Sequence, residues 1–300
     1  MFKHILVPLD GSKLAEVALP AAASLAQTLH APVTLLHIIE QEARGEIHKD
    51  HHLTEVKEAE AYLTEAAKRF FSPAIRVKTH IHTKPVADVV QSIVWHATRE
   101  FQPDLIVMCS HGHGGVRDLL FGNIAQQVVA QGATPVLLIK PKEIPPHPFH
   151  LEKILVPLES ESLHDDSLPY AESLARACQA EIHLLSVIPT LGTLAGGQAA
   201  AGSMLPGTAT AYLEMEEEHA SEHLQEHLAT LLEANLRASA EVARGDPAPV
   251  IAKTAEAIAA DLIVLSTHRK AGMDAFWARS VAPNVARRTD IPLLFIPLPE

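Results

Sequence analysis

Residues 3–39 read KHILVPLDGSKLAEVALPAAASLAQTLHAPVTLLHII, and residues 152–188 read EKILVPLESESLHDDSLPYAESLARACQAEIHLLSVI. Ile5, Val7, Pro8, Pro20, Leu25, Ala26 and Leu35 recur as Ile154, Val156, Pro157, Pro169, Leu174, Ala175 and Leu184, each 149 positions later. Further on, Asp104, Leu105, Ile106 and Val107 return as Asp261, Leu262, Ile263 and Val264, now 157 positions later. The second copy has therefore gained eight residues between these blocks, and the stretch 191–210, rich in Gly, Ala and Thr, is where they fit as a loop. A repeated unit of ~150 residues is domain-sized and marks a tandem duplication, not a solenoid. The expected domains are 1–143 and 151–300, linked through the proline-rich 144–148.

Within the first copy, apolar β-rich runs alternate with segments of helical period. Strands are expected at 4–9, 33–39, 75–82, 105–108 and 136–139, with helices at 14–29, 56–70 and 86–97. Pro20 falls inside the first helix and is expected to kink it or to mark its start. Strands that are apolar throughout and separated by helices imply a parallel sheet covered on both faces. The predicted fold is a doubly wound, Rossmann-like α/β domain with five parallel strands, used twice.

In such sheets ligands sit beyond the carboxyl ends of the strands, where the strand order reverses. Two features of the first copy fall there if its first and fourth strands are neighbours. One is Asp10, which ends the first strand in PLDGS. A carboxylate at that place suits ribose hydroxyls or a magnesium ion, although Asp before Gly11 and Ser12 is also a turn signal. The other is IVMCSHGHGGVRDLLFGNIAQQVV, residues 106–129, which reads as strand, glycine-rich loop and helix start. Glycines let backbone amides approach a ligand closely, and Asn123 is a good N-cap for a helix whose amino end would receive phosphate.

The totals narrow the function classes. Hydrophobic residues make up 47% and charged residues 20% of 300, the composition of a folded protein with room for two cores. Phe2, Lys3 and His4 lead directly into ILVPL, so no secretory leader is expected, and no apolar run reaches the ~18 residues of a membrane span. Cys109 and Cys178 are too few for a disulfide framework, which points to a reducing cytoplasm. A net charge of −12 argues against nucleic acid, whose binding rests on clustered Lys and Arg.

With PLDGS after the first strand, the SHG step and a second glycine ten positions after Gly112, the chain resembles the universal stress protein family, as a tandem member, over nearly its whole length. Nucleotide-binding members carry Gly, two residues, Gly, nine residues, then Gly followed by Ser or Thr. Here those positions are Cys109, Gly112, Gly122 and Asn123, so two glycines stand and two positions depart. The resemblance implies ATP, with magnesium, as the ligand. Pro8, Leu9 and Asp10 would border the adenosine, Ile38 would offer backbone groups to the adenine, and Met108 and Cys109 would floor the pocket. Gly112, Gly122, Asn123 and Ile124 would hold the phosphates. It also implies pairing of 136–139 with 293–296, making one chain a pseudo-dimer, with further homodimerisation and an unknown protein partner. In the second copy Asp10 becomes Glu159, Gly112 becomes Arg269 and Gly122 becomes Arg279, so one nucleotide site per chain is expected, in the first copy.

The remaining candidates are weaker. His48, His51 and His52, His111 and His113, and His147 and His150 cluster without an HExxH or Cys-His set, so no metal site is expected from them. Cys109 reads as a small buried side chain before it reads as a reactive thiol. No P-loop, nucleophile elbow or triad spacing appears, so no catalytic residue is assigned. The acidic run 214–228 reads as a solvated helix face. Beside a nucleotide-dependent regulator stand two alternatives: a scaffold that binds no nucleotide, and a slow ATPase.

Overall fold

Ile5, Leu6 and Val7 have the side chains that suit a sheet buried on both faces. They form β1 (Ile5–Pro8) and are fully buried. The computed structural model describes residues 1–41, 46–47, 50–110, 123–141, 149–159, 162–194, 200, 204–267 and 281–298. These fall into two units: the described residues of 1–150 together with 292–298, and those of 151–267 together with 281–291. The linker 144–148, Gly112, Gly122, Arg269 and Arg279 lie outside the described residues.

In the first unit β1 lies parallel to β2 (Val33–Glu40), and a short hairpin of β3 (Glu46–Ile47) and β4 (Asp50–His51) follows. β5 (Val77–Val86) extends the sheet beyond β2. On the other side of β1 comes β6 (Leu105–Cys109) and then β7 (Val136–Ile139), all parallel. The order β5-β2-β1-β6-β7 reverses between β1 and β6, with Ile5 opposite Leu105 and Leu6 opposite Ile106. This is the neighbour relation on which the sequence argument rested. The last strand of the chain, Leu293–Pro297, runs antiparallel against β7, placing Leu293 opposite Leu138 and Phe295 opposite Val136. That strand is where 136–139 and 293–296 were expected to meet.

The helices follow their apolar spacing. α1 (Ala18–Leu29) buries Ala18, Leu19, Ala21, Ala22, Leu25 and Ala26. Pro20 is its third residue, so it marks the start, where its missing N–H has no helical partner to lose. A short 3-10 turn, Ala15–Val17, precedes it. α2 (Val56–Phe70) has the expected bounds and buries Ala59, Leu63 and Ala66. The third helix differs from expectation: Pro85 and Val86 belong to β5, and α3 (Val89–Trp95) begins only after Asp88, whose Oδ1 accepts from the Gln91 amide at 2.9 Å. A proline is tolerated there because β5 pairs only with β2 in this unit and the register shifts opposite it, between Ile38 and Glu40. A π-turn, His96–Phe101, continues α3, and α4 (Asn123–Gln131) precedes β7.

The second unit repeats the plan with Lys153–Leu158, Glu181–Ile188, Ala238–Arg244 and Leu262–Thr267 as parallel strands. The repeated aspartates explain themselves. Asp104 Oδ2 accepts from the Lys3 amide at 2.7 Å, and Asp261 Oδ2 accepts from the Glu152 and Lys153 amides at 2.8 and 3.0 Å. Each carboxylate staples the start of one central strand to its neighbour. The stretch 191–210 is not all loop, because the 28-residue helix Pro206–Glu233 starts inside it with Pro206 in its first turn. The acidic run lies on that helix, which buries Leu213, Ala220, Leu224 and Leu231. None of the helices among the described residues is long and apolar enough to cross a membrane.

Candidate functional site

At the carboxyl end of β1 the chain must turn, and Asp10 makes that turn. Its Oδ1 accepts from the Ser12 amide at 2.9 Å and the Ser12 hydroxyl at 2.7 Å, while Gly11 takes a φ of +93°. The turn reading of Asp10 is realised, and the same residue lines a crevice. That crevice is partly open to solvent and lined mostly by apolar side chains, with Asp10, His37, Glu40 and His52 as its polar members.

Its lining brings together Pro8, Leu9 and Asp10 from β1, Ile38 from β2, Met108 from β6 and Ile124 from the first turn of α4. These are six of the ten residues assigned from the sequence. Asn123, expected as the N-cap, is the first residue of α4. Cys109 is beside the pocket without lining it: it is buried, and burial, helped by the negative charge of Asp10, pushes its thiol up to about 12. A thiol so held stays protonated, as the small-apolar reading requires.

Backbone parity supplies the polar groups at Ile38. Leu36 O accepts from the Leu9 amide, so the backbone groups of Leu36 face β1. Two residues on, those of Ile38 face the same side, where β1 has already ended at Pro8. Ile38 lines the crevice there.

The sequence reading missed His37, Glu40 and His52, all of which line the same crevice. His37 is buried, with Nδ1 2.8 Å from Leu9 O and Nε2 3.1 Å from Leu53 O, so it ties the first strand to the segment after the hairpin. His52 is 3% exposed, and among the described residues its Nε2 has no hydrogen-bond partner; Glu40 Oε1 stands 3.7 Å away, beyond bonding distance. A buried imidazole nitrogen left unpaired is costly, and it is what a polar ligand would satisfy. Only the fold could reveal these three, since His52 sits in the link after the hairpin, far from any motif.

In the second copy Glu159, at the position of Asp10, is exposed. Two groups of metal-capable side chains also occur among the described residues, neither of them among the histidines that cluster in sequence. They are His80, His96 and Glu100 in the first unit, and Asp165, His223 and His227 in the second.

Fold and crevice together define a class: a duplicated doubly wound α/β module with a crevice at the strand-order reversal of its first copy. Comparison with known proteins places it. The universal stress protein family model matches residues 1–140 and again 150–297, and the chain belongs to that family. It is 32% identical over 140 residues to the universal stress protein Sll1654 of Synechocystis, covering 46% of this chain and 86% of that one. Universal stress protein MJ0577 of Methanocaldococcus jannaschii is 30% identical over 159 residues, covering 47% and 97%. The crystal structure of a universal stress protein from Archaeoglobus fulgidus superposes with a TM-score of 0.72 at 19% identity, over 98% of this chain and 96% of that one, a likeness of fold.

Proposed function

We propose that the first unit binds ATP in the crevice at the end of β1, and that occupancy regulates this cytoplasmic protein's conformation or its choice of partner. The observation that carries the reading is the convergence on one crevice of Asp10, Ile38 and the buried His52, whose Nε2 has no hydrogen-bond partner among the described residues. Two carboxylates, Asp10 and Glu40, line it. They repel a triphosphate, so the nucleoside end belongs beside them, with Asp10 toward the ribose hydroxyls and the Ile38 backbone toward the adenine edge. The phosphates then lie toward the amino end of α4, where the helix dipole and unpaired amides favour anions. Gly112 and Gly122 complete that end by their place in the sequence, and magnesium would offset the charge of the phosphates themselves.

Among the described lining residues none forms a nucleophile with a base and an orienting group, and binding without efficient turnover needs no such set. Calorimetry with ATP and magnesium tests it. The wild type is expected to release or absorb heat with a single-site isotherm, and Asp10→Ala to weaken binding by about tenfold or more, the loss of one charge-assisted contact. An absence of binding at millimolar nucleotide would leave the chain a scaffold. Rapid product formation that disappears in Asp10→Ala would make it an ATPase.

A further inference from the structure

We propose that Asp165, His223 and His227 form a site for one divalent transition metal ion, zinc by the chemistry of its donors, separate from the nucleotide crevice. His223 and His227 lie four residues apart on the helix Pro206–Glu233, so both imidazoles project from one face, their rings edge-to-face with centroids 4.6 Å apart. Asp165 comes from the 3-10 turn Ser162–Ser167, which follows the central strand Lys153–Leu158. Its Oδ2 lies 2.9 Å from Nε2 of His227 and 3.1 Å from Nε2 of His223, and Oδ1 lies 3.3 Å from Nε2 of His223. Three ligand atoms from two distant segments thus lie within 4.8 Å of one another. Ligands held at about 2.0–2.1 Å around a tetrahedral ion stand about 3.3–3.4 Å apart, so a few tenths of an ångström of expansion would seat one. Each of the three is between 13% and 24% exposed at its side chain, leaving an entry path and a fourth position for water.

The duplication supplies a comparison within the chain. Asp165 stands 149 positions after Glu16, and Glu16 closes the same pair of elements in the first copy with an ordinary ion pair to Arg69 on α2. The strand that follows pairs Val77 with Val33 in the first copy and Ala238 with Ile182 in the second, a displacement of 161, at which Tyr62 and Ala66 become His223 and His227 while Arg69 becomes Thr230. One guanidinium has been replaced by two imidazoles that share a single carboxylate oxygen. A hydrogen bond alone needs one donor; two nitrogens and one carboxylate make a metal's donor set. Imidazole with carboxylate suits zinc and its first-row neighbours and disfavours calcium and magnesium, which take oxygen ligands. The His80, His96 and Glu100 group is less ready, because both nitrogens of His96 are engaged, Nδ1 with Glu100 at 2.5 Å and Nε2 with His82 at 3.0 Å. In the second unit the ion would brace the turn after the central strand against the long helix, and binding to the folded state alone would stabilise it.

The test uses the full chain stripped with a chelator, then titrated with zinc against a chromophoric competitor. One zinc ion per chain is expected, with affinity falling roughly 100-fold or more in His223→Ala and in Asp165→Asn, since ligand loss exceeds the 10–100-fold typical of outer-shell changes. Asp165→Asn keeps the shape and an acceptor oxygen, which guards against misfolding, and circular dichroism checks each variant. Cobalt should give intense visible absorption in the wild type that His227→Ala removes, while His80→Ala keeps wild-type zinc affinity. Zinc affinity unchanged by the Asp165 and His223 substitutions, or lost through His80→Ala instead, would overturn the assignment.

Discussion

Gly11 holds a φ of +93°, and a Cβ built there would stand 2.7 Å from Cγ and Cδ1 of Leu53. Both facts follow from the same demand: the chain must reverse at Asp10 while the segment after the hairpin packs over it. Gly11→Ala should therefore lower stability by about 1–3 kcal/mol, read as a reduced urea midpoint, because it adds both backbone strain and overlap. Asp10 and Gly11 were legible at this scale because turn chemistry is local; Asp, Gly and Ser announce it over three residues. His52 was not, because its burial and its unpaired nitrogen depend on Glu40 and His37, which reach it only through the sheet.

At the scale of elements, the bounds of α2 and β7 follow directly from periodicity, whereas β5 and α3 trade residues around Pro85. Proline reads as a stop, but at a sheet edge with a register shift it can remain in a strand. The π-turn after α3 holds His96 in a buried place, flanked by His80, His82 and Glu100. Burial lowers the affinity of His96 for a proton below its ordinary 6.5, and the neighbouring Glu100 carboxylate opposes this in part. The folded chain then binds that proton less readily than the unfolded chain does. The stabilisation is complete above about 6.5 and is lost as pH falls from there through the lower folded value. Urea unfolding at pH 7.5 and 5.5 should show a loss of stability on acidification that His96→Gln reduces; an equal loss in both proteins would count against this role.

The whole molecule is a duplication with unequal halves. Asp10 lines a crevice while Glu159 is exposed, and the glycines of the first loop correspond to Arg269 and Arg279 in the second. Nucleotide stoichiometry should accordingly be one per chain. Gly112→Arg, which copies the second half into the first, should abolish ATP binding in calorimetry, since its side chain would occupy the space that close backbone approach requires. Arg269→Gly should leave the stoichiometry at one, because Glu159 still stands at the position of Asp10.

Duplication, parallel α/β architecture and the place of the crevice were all determined by the sequence, because each rests on short-range signals: repeated motifs, the period of apolar residues and the turn at the end of β1. The tertiary structure alone decided which polar groups share a site. Glu40 and His52 share a crevice because the segment after the hairpin folds back on β2, and Asp165 meets His223 and His227 across 58 and 62 residues by the packing of a helix on the sheet, contacts that no local pattern encodes.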